Sequence, residues 1–131
     1  MAMDFLEQID HFIPEAHGEG IDWEGLAPLF SGVGFSAMGN TPQNPFFHRE
    51  GDVLTHTKMV CGELIGMSAF QTLPPVQKTE LFLAALLHDI GKVKTTRLEN
   101  GIPAAPHHAA AGSLIARKFL WKECGICGTP E

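Results

Sequence analysis

Apolar positions recur at helical spacing in four stretches of the chain. Residues 4 to 13 place Phe5, Leu6, Ile9, Phe12 and Ile13 on one side of a short helix that Pro14 closes. Residues 52 to 69 bring Val53, His56, Val60, Leu64 and Met67 near one face, with Asp52 after Gly51 as the N-cap. Pro74-Pro75 interrupts the chain and starts the next helix, over residues 76 to 90, because Pro is tolerated in a first turn. Its apolar run is Leu81-Phe82-Leu83-Ala84-Ala85-Leu86-Leu87, and Gly91 reads as its C-terminal stop. A last helix covers residues 108 to 123, with Leu114, Ile115, Phe119 and Leu120 as its apolar side. Gly112 inside it costs about 1 kcal/mol relative to Ala, which points to close packing at that position.

Between these stretches the pattern breaks. Residues 14 to 47 are rich in Gly and Pro and read as irregular, with room for one short helix near Trp23 to Phe30. Pro42, Pro45, Phe46 and Phe47 suggest a loop pinned by aromatics. Residues 92 to 106 read as a loop containing Asn100-Gly101, and no run alternates as a strand. The expectation is an all-α fold: one domain over residues 1–131, with a helix and irregular lead-in over 1–47 and a helical core over 48–123.

Length and composition narrow the class. A chain of 131 residues is long enough for a real core, and 44% hydrophobic content fits a globular protein. No apolar run approaches the roughly 18 residues of a membrane span. The N-terminus lacks a basic start and apolar stretch, so the cytoplasm is the expected location. Cys61, Cys124 and Cys127 make no disulfide framework; Cys61 reads as a buried small hydrophobe, and the lone Cys124/Cys127 pair lacks a second pair for zinc. The net charge of −6 argues against generic nucleic-acid binding. The charge is uneven, however: from Lys92 to Lys122 six basic residues face one acid, Glu99, a local field suited to an anionic phosphate ester.

The chemistry concentrates at His88-Asp89, which closes the apolar run and precedes Ile90-Gly91-Lys92. An imidazole and a carboxylate at the end of a buried helix are costly unless paired or bound to a metal. Adjacent residues do not share a helix face, so an ion held by both needs a third ligand from elsewhere. His56, one turn into its helix, is the natural candidate. Imidazole and carboxylate together leave the metal open among Mn, Fe, Ni, Zn and Mg. Upstream stands Glu50-Gly51-Asp52-Val53-Leu54-Thr55-His56-Thr57, flanked by His48 and Arg49; downstream stands Pro106-His107-His108-Ala109-Ala110-Ala111-Gly112. Asp52 either caps its helix or orients a ligand histidine, and the cap is the reading taken.

These three motifs, over residues 41 to 122, resemble the HD superfamily of metal-dependent phosphohydrolases. The likeness is closest to the HD domain of CCA-adding tRNA nucleotidyltransferases and to HD domains paired with predicted kinase or ATPase domains. It implies an HD-type helical bundle with His56, His88 and Asp89 as ligands of a divalent metal. It further implies that Asp89, Lys92 and His108 take part in catalysis and that Lys92, His107 and His108 contact substrate. The implied substrate is a phosphorylated small molecule or nucleotide, cyclic nucleotides and RNA-end phosphates included. The family pattern has another Asp on a later helix, whereas the acids after Asp89 here are Glu99, Glu123 and Glu131. A truncated chain or an incomplete metal shell follows from that departure, and a non-catalytic HD module that binds nucleotides or RNA ends is the alternative function.

Overall fold

The computed structural model describes residues 4–15 and 20–124, except for the side chain of Cys124. Among the described residues seven α-helices form the bundle: α1 (Phe5–Phe12), α2 (Trp23–Leu26), α3 (Val53–Gly66), α4 (Ser68–Gln71), α5 (Pro75–Leu87), α6 (Lys92–Thr95) and α7 (His108–Cys124). No helix is long and apolar enough to cross a membrane among the described residues. The all-α class holds, with two differences in detail.

The first concerns residues 92 to 106, which are not a plain loop. After α6 the chain forms an antiparallel hairpin, β1 (Arg97–Glu99) and β2 (Ile102–Ala104), in which Leu98 pairs with Pro103. Asn100 and Gly101 both take positive φ, 53° and 79°. That is the two-residue turn whose twist matches paired strands, and Asn-Gly is its strongest sequence signal. The strands escape an alternation test because each is three residues long and largely exposed.

The second concerns residues 14 to 47, which build much of the core. Two 3₁₀ segments, Ala27–Val33 and Ser36–Asn40, follow α2 and bury Phe30, Val33 and Met38, with Phe35 buried between them. Phe5 of α1, Phe30 and Phe119 of α7 form a mutual aromatic triangle with ring centroids 5.6 to 5.8 Å apart. One core therefore runs through the lead-in and the motif-bearing helices. Phe46 and Phe47, in contrast, pin nothing: they are 79% and 80% exposed.

Two helix faces are rotated from their sequence reading. In α3 the buried row is Val53, Thr57, Cys61 and Ile65, one residue on from the expected stripe, and Met67 is exposed. The rotation leaves His56 half-buried at the edge of the core rather than in it. Cys61 is fully buried, and burial pushes its thiol pKa up to about 12, as fits an inert small hydrophobe. In α7 Phe119 is buried, Ile115 and Leu120 are partly buried, and Leu114 is 55% exposed. The α7 face next to the turn between α5 and α6 is set by Gly112, whose backbone meets Gly91.

Gly91 is no left-handed helix stop. Its φ of −63° is right-handed, and the chain winds on from α5 through tight i→i+3 bonds, Leu87 to Ile90 and Asp89 to Lys92, into α6. What requires glycine there is proximity: a Cβ on Gly91 would meet the His108 carbonyl and lie 2.5 Å from the Gly112 nitrogen.

Candidate metal centre

Asp89 lies in that tight turn, 6% exposed, and four side chains, from α3, the end of α5, α6 and α7, converge on its carboxylate. Its Oδ2 is 3.0 Å from His88 Nε2, 3.3 Å from Lys92 Nζ and 3.7 Å from His56 Nε2. Its Oδ1 is 3.7 Å from His108 Nε2, at the start of α7. The tight winding after Leu87 lets the adjacent His88 and Asp89 meet, which successive residues of a regular helix do not do.

Each of the three imidazoles is held the same way. The Nδ1–H of His88 donates to the Ala85 carbonyl at 2.6 Å, and that of His108 donates to the Ala105 carbonyl at 3.0 Å. His56 Nδ1 lies 2.5 Å from Glu50 Oε1. A carbonyl only accepts, so Nδ1 carries a proton, and Nε2 is the atom that offers a lone pair when the ring is neutral. A carboxylate on the far ring nitrogen is the usual orienting contact for a metal-binding histidine. The Nε2 atoms of His56 and His88 and a carboxylate oxygen of Asp89 lie within 4.8 Å of one another. Two imidazole Nε2 atoms and a carboxylate, already converged and oriented, fit a divalent cation once the rings are unprotonated.

Charge is balanced within the cluster. Burial by itself would raise the Asp89 pKa, but the hydrogen bond and charge of His88, with Lys92 beside them, outweigh it and hold the carboxyl well below the usual range. Donation of that hydrogen bond to Asp89 favours protonated His88 and raises its pKa, against the opposing effect of burial. Glu50 is also held low, by a backbone hydrogen bond and then by His56.

Residues 53–123 match the family model described as HD domain. The chain belongs to the HD domain family. The match covers more than half of the chain, and no curated protein or solved structure compared with it matches. HD domains are generally metal-dependent phosphohydrolases, and the convergence on Asp89 lies inside the matched HD region.

The remaining motif residues of the HD domain divide clearly. Lys92 enters the cluster, with its ammonium also donating to Gln43 Oε1 at 2.8 Å. His107 does not: it is exposed, takes a positive φ of 59°, and makes no contact with Asp89 among the described residues. Asp52 caps α3, accepting from the Thr55 amide at 2.8 Å. Arg49 is exposed. His48 packs edge-on against His56, with ring centroids 4.9 Å apart and Nδ1 3.5 Å from Glu50. Arg97 is paired to Glu99 at 3.0 Å, so that part of the expected positive field is neutralised. Cys127 lies outside the described residues.

Two participants escaped the sequence reading, Glu50 and Gln43. Glu50 opened a recognised motif, and Gly51 beside it, with φ of 107°, is the turn that folds the carboxylate back onto His56. Glu50→Ala should weaken divalent-metal affinity by about 10- to 100-fold, the usual cost of losing a contact behind a ligand. Glu50→Gln, which still accepts from Nδ1, should recover most of the loss. Calorimetric titration of both variants with Mn²⁺ checks this, and equal affinity for Glu50→Ala and wild type would remove Glu50 from the account.

Proposed function

We propose that this protein is a metal-dependent phosphohydrolase acting on a phosphate ester of a nucleotide, cyclic nucleotide or RNA end. The observation that carries the reading is the common aim of three fixed Nε2 atoms at one buried carboxylate. His56, His88 and Asp89 would hold a divalent ion, which when bound supplies Lewis acidity and a more acidic water.

The chain's own groups divide the remaining work. Asp89, strongly disposed to stay ionised, is a poor proton acceptor and serves to orient water. Lys92 uses two of its three N–H bonds on Asp89 and Gln43, which leaves one for a phosphoryl oxygen. His108 has its Nδ1 committed to Ala105, so its Nε2 is the atom that holds or passes a proton. In its imidazolium form it donates to a phosphoryl or leaving oxygen. Overall, a water oxygen bonds to phosphorus, the P–O ester bond breaks, and the departing oxygen takes the proton.

A binding-only HD module is the second reading. It is favoured by one observation: Glu99 is engaged by Arg97 and Glu123 is exposed, so neither brings a further carboxylate to Asp89. Both readings meet in one assay. Protein purified without a metal-affinity tag is analysed for bound metal and incubated with phosphomonoesters, cyclic nucleotides and 2′,3′-cyclic RNA ends, with and without added Mn²⁺. About one ion per chain with metal-dependent phosphate or ester release supports the enzyme. Stoichiometric metal with no turnover on any of them supports the binding module instead.

A further inference from the structure

The outward face of α7 is not that of an ordinary solvent-facing helix. Leu114 and Trp121 stand two turns apart on it, 55% and 43% exposed. Arg117 and Lys118, both exposed, are three or four residues from each of them, so the two cations flank one apolar stripe. Among the described residues the Lys and Arg ion pairs are Lys92 with Asp89 and Arg97 with Glu99, which leaves Arg117 and Lys118 unpaired. A single exposed apolar residue needs no explanation, whereas an apolar stripe rimmed by charge outlines a contact surface.

A hollow of opposite charge opens beside it. It lies between α1 and the first half of α5, measures about 240 Å³, and is lined by Leu6, Pro75 and Val76 and by the acids Glu7, Asp10 and Glu80. That is below the roughly 300–1,000 Å³ of drug-sized ligand sites and takes one large side chain. All three acids are exposed, and the acids in ion pairs among the described residues are Glu50, Asp89 and Glu99, so these three have no cation of their own.

Stripe and hollow adjoin. A second hollow, of about 420 Å³ between α5 and α7, shares Leu6 and Glu80 with the first and has Ala116 and Leu120 in its wall. Those two residues immediately precede Arg117 and Trp121. One face of the molecule therefore carries an apolar stripe with cations and, next to it, an apolar hollow with acids. Such a face is self-complementary. A half-turn about an axis between the two features lays the stripe of each copy on the hollow of the other, cations against acids.

We infer that this face is where a second copy of the chain docks. Trp121 of each copy enters the hollow of the other against Leu6 and Val76, and Arg117 and Lys118 meet Asp10 and Glu80. An aromatic anchor seated in a pocket with a charged rim is the arrangement that carries most of the energy of an interface. None of these residues belongs to the metal centre, so the inference stands apart from the phosphohydrolase reading.

The test is sedimentation velocity of the full chain, without an affinity tag, over about 1 to 300 μM, which spans the weak end of specific association. The wild type should pass from monomer to dimer within that range. Trp121→Ala should weaken dimerisation about 10-fold or more. Reversing the acids (Asp10→Lys with Glu80→Lys) or the cations (Arg117→Glu with Lys118→Glu) should each abolish the dimer, because like charges then face each other. Combining all four changes restores opposite charges and should restore the dimer. All five positions are exposed, and circular dichroism with a thermal melt confirms that each variant is folded. A wild type that stays monomeric throughout overturns the inference, and the hollow would then seat a different partner. A dimer indifferent to Trp121→Ala, or a fourfold variant that stays monomeric, overturns it too.

Discussion

Asp89→Asn should abolish stoichiometric metal binding, lowering divalent-ion affinity by more than about 100-fold, beyond the usual effect of a contact behind a ligand. Phosphohydrolase turnover should fall with it. The substitution keeps the shape and removes the charge, so its effect isolates what the carboxylate does for its four neighbours. The Nε2 atoms of His56, His88 and His108 and the ammonium of Lys92 all face it within 3.7 Å. Folding stability should fall as well, by about 2 kcal/mol without metal, since Lys92 is left nearly buried without its anion.

That loss has a pH signature with a definite sign. The Asp89 pKa is depressed in the folded chain, so its contribution is present above the unfolded carboxyl pKa, near 4, and is lost as pH falls through the folded value. The His88 pKa is raised, so its contribution is present below the unfolded imidazole pKa, near 6.5, and is lost as pH rises through the folded value. The stability gap between wild type and Asp89→Asn should therefore be widest at about pH 4 to 6.5 and narrow on either side. Urea unfolding of chelator-treated protein at pH 3, 5.5 and 8 measures it. A gap of the same size at all three values would mean that the pair adds nothing ionic to the fold.

Local rules made much of this molecule legible before its fold was known. Helix ends followed from Asp52 and Pro75, and the convergence of His56 on His88-Asp89 was deduced from the need for a third ligand. Faces were less secure. A one-residue rotation of α3 separates the expected stripe from the buried row of Val53, Thr57, Cys61 and Ile65, because Thr and Cys pack as apolar residues once buried while Met67 does not have to. The lead-in was misjudged for a related reason. Its 3₁₀ segments have no 3.6-residue period, so Phe30, Phe35 and Met38 gave no periodic signal although tertiary packing buries all three. Gln43 was hidden because it reaches Lys92 across 49 positions, and Glu50, six positions before His56, because the Gly51 turn and not helical spacing makes its contact. A hydrogen bond formed by topology leaves no trace in local spacing.

The fold's most exacting requirement is at Gly91, where Ala should destabilise the chain by about 3 kcal/mol, at the upper end of ordinary overpacking. A Cβ there would be 2.5 Å from the Gly112 nitrogen, 2.9 Å from the Gly112 Cα and closer still to the His108 carbonyl. All three are backbone atoms, so no rotamer change relieves the clash and α7 has to move. Backbone conformation does not object: φ at Gly91 is −63°, where Ala is the better residue by roughly 0.5–1 kcal/mol. The penalty is therefore one of contact between two chain segments. Gly112→Ala is the control from the opposite side of the crossing. Its Cβ would meet Gly91 at 3.1 Å, and the roughly 1 kcal/mol of helix propensity gained offsets part of that crowding. Gly91→Ala should lower the melting temperature by about 10 °C, and Gly112→Ala by much less. The displacement in Gly91→Ala also carries function, since α7 begins at His108 and Gly91 lies between Asp89 and Lys92. Pulling α7 away would withdraw His108 Nε2 from Asp89 Oδ1 while leaving His56 and His88 in place. The folded fraction of Gly91→Ala should accordingly still bind metal but turn over slowly. Wild-type turnover per folded molecule would show that His108 does not depend on this crossing for its position.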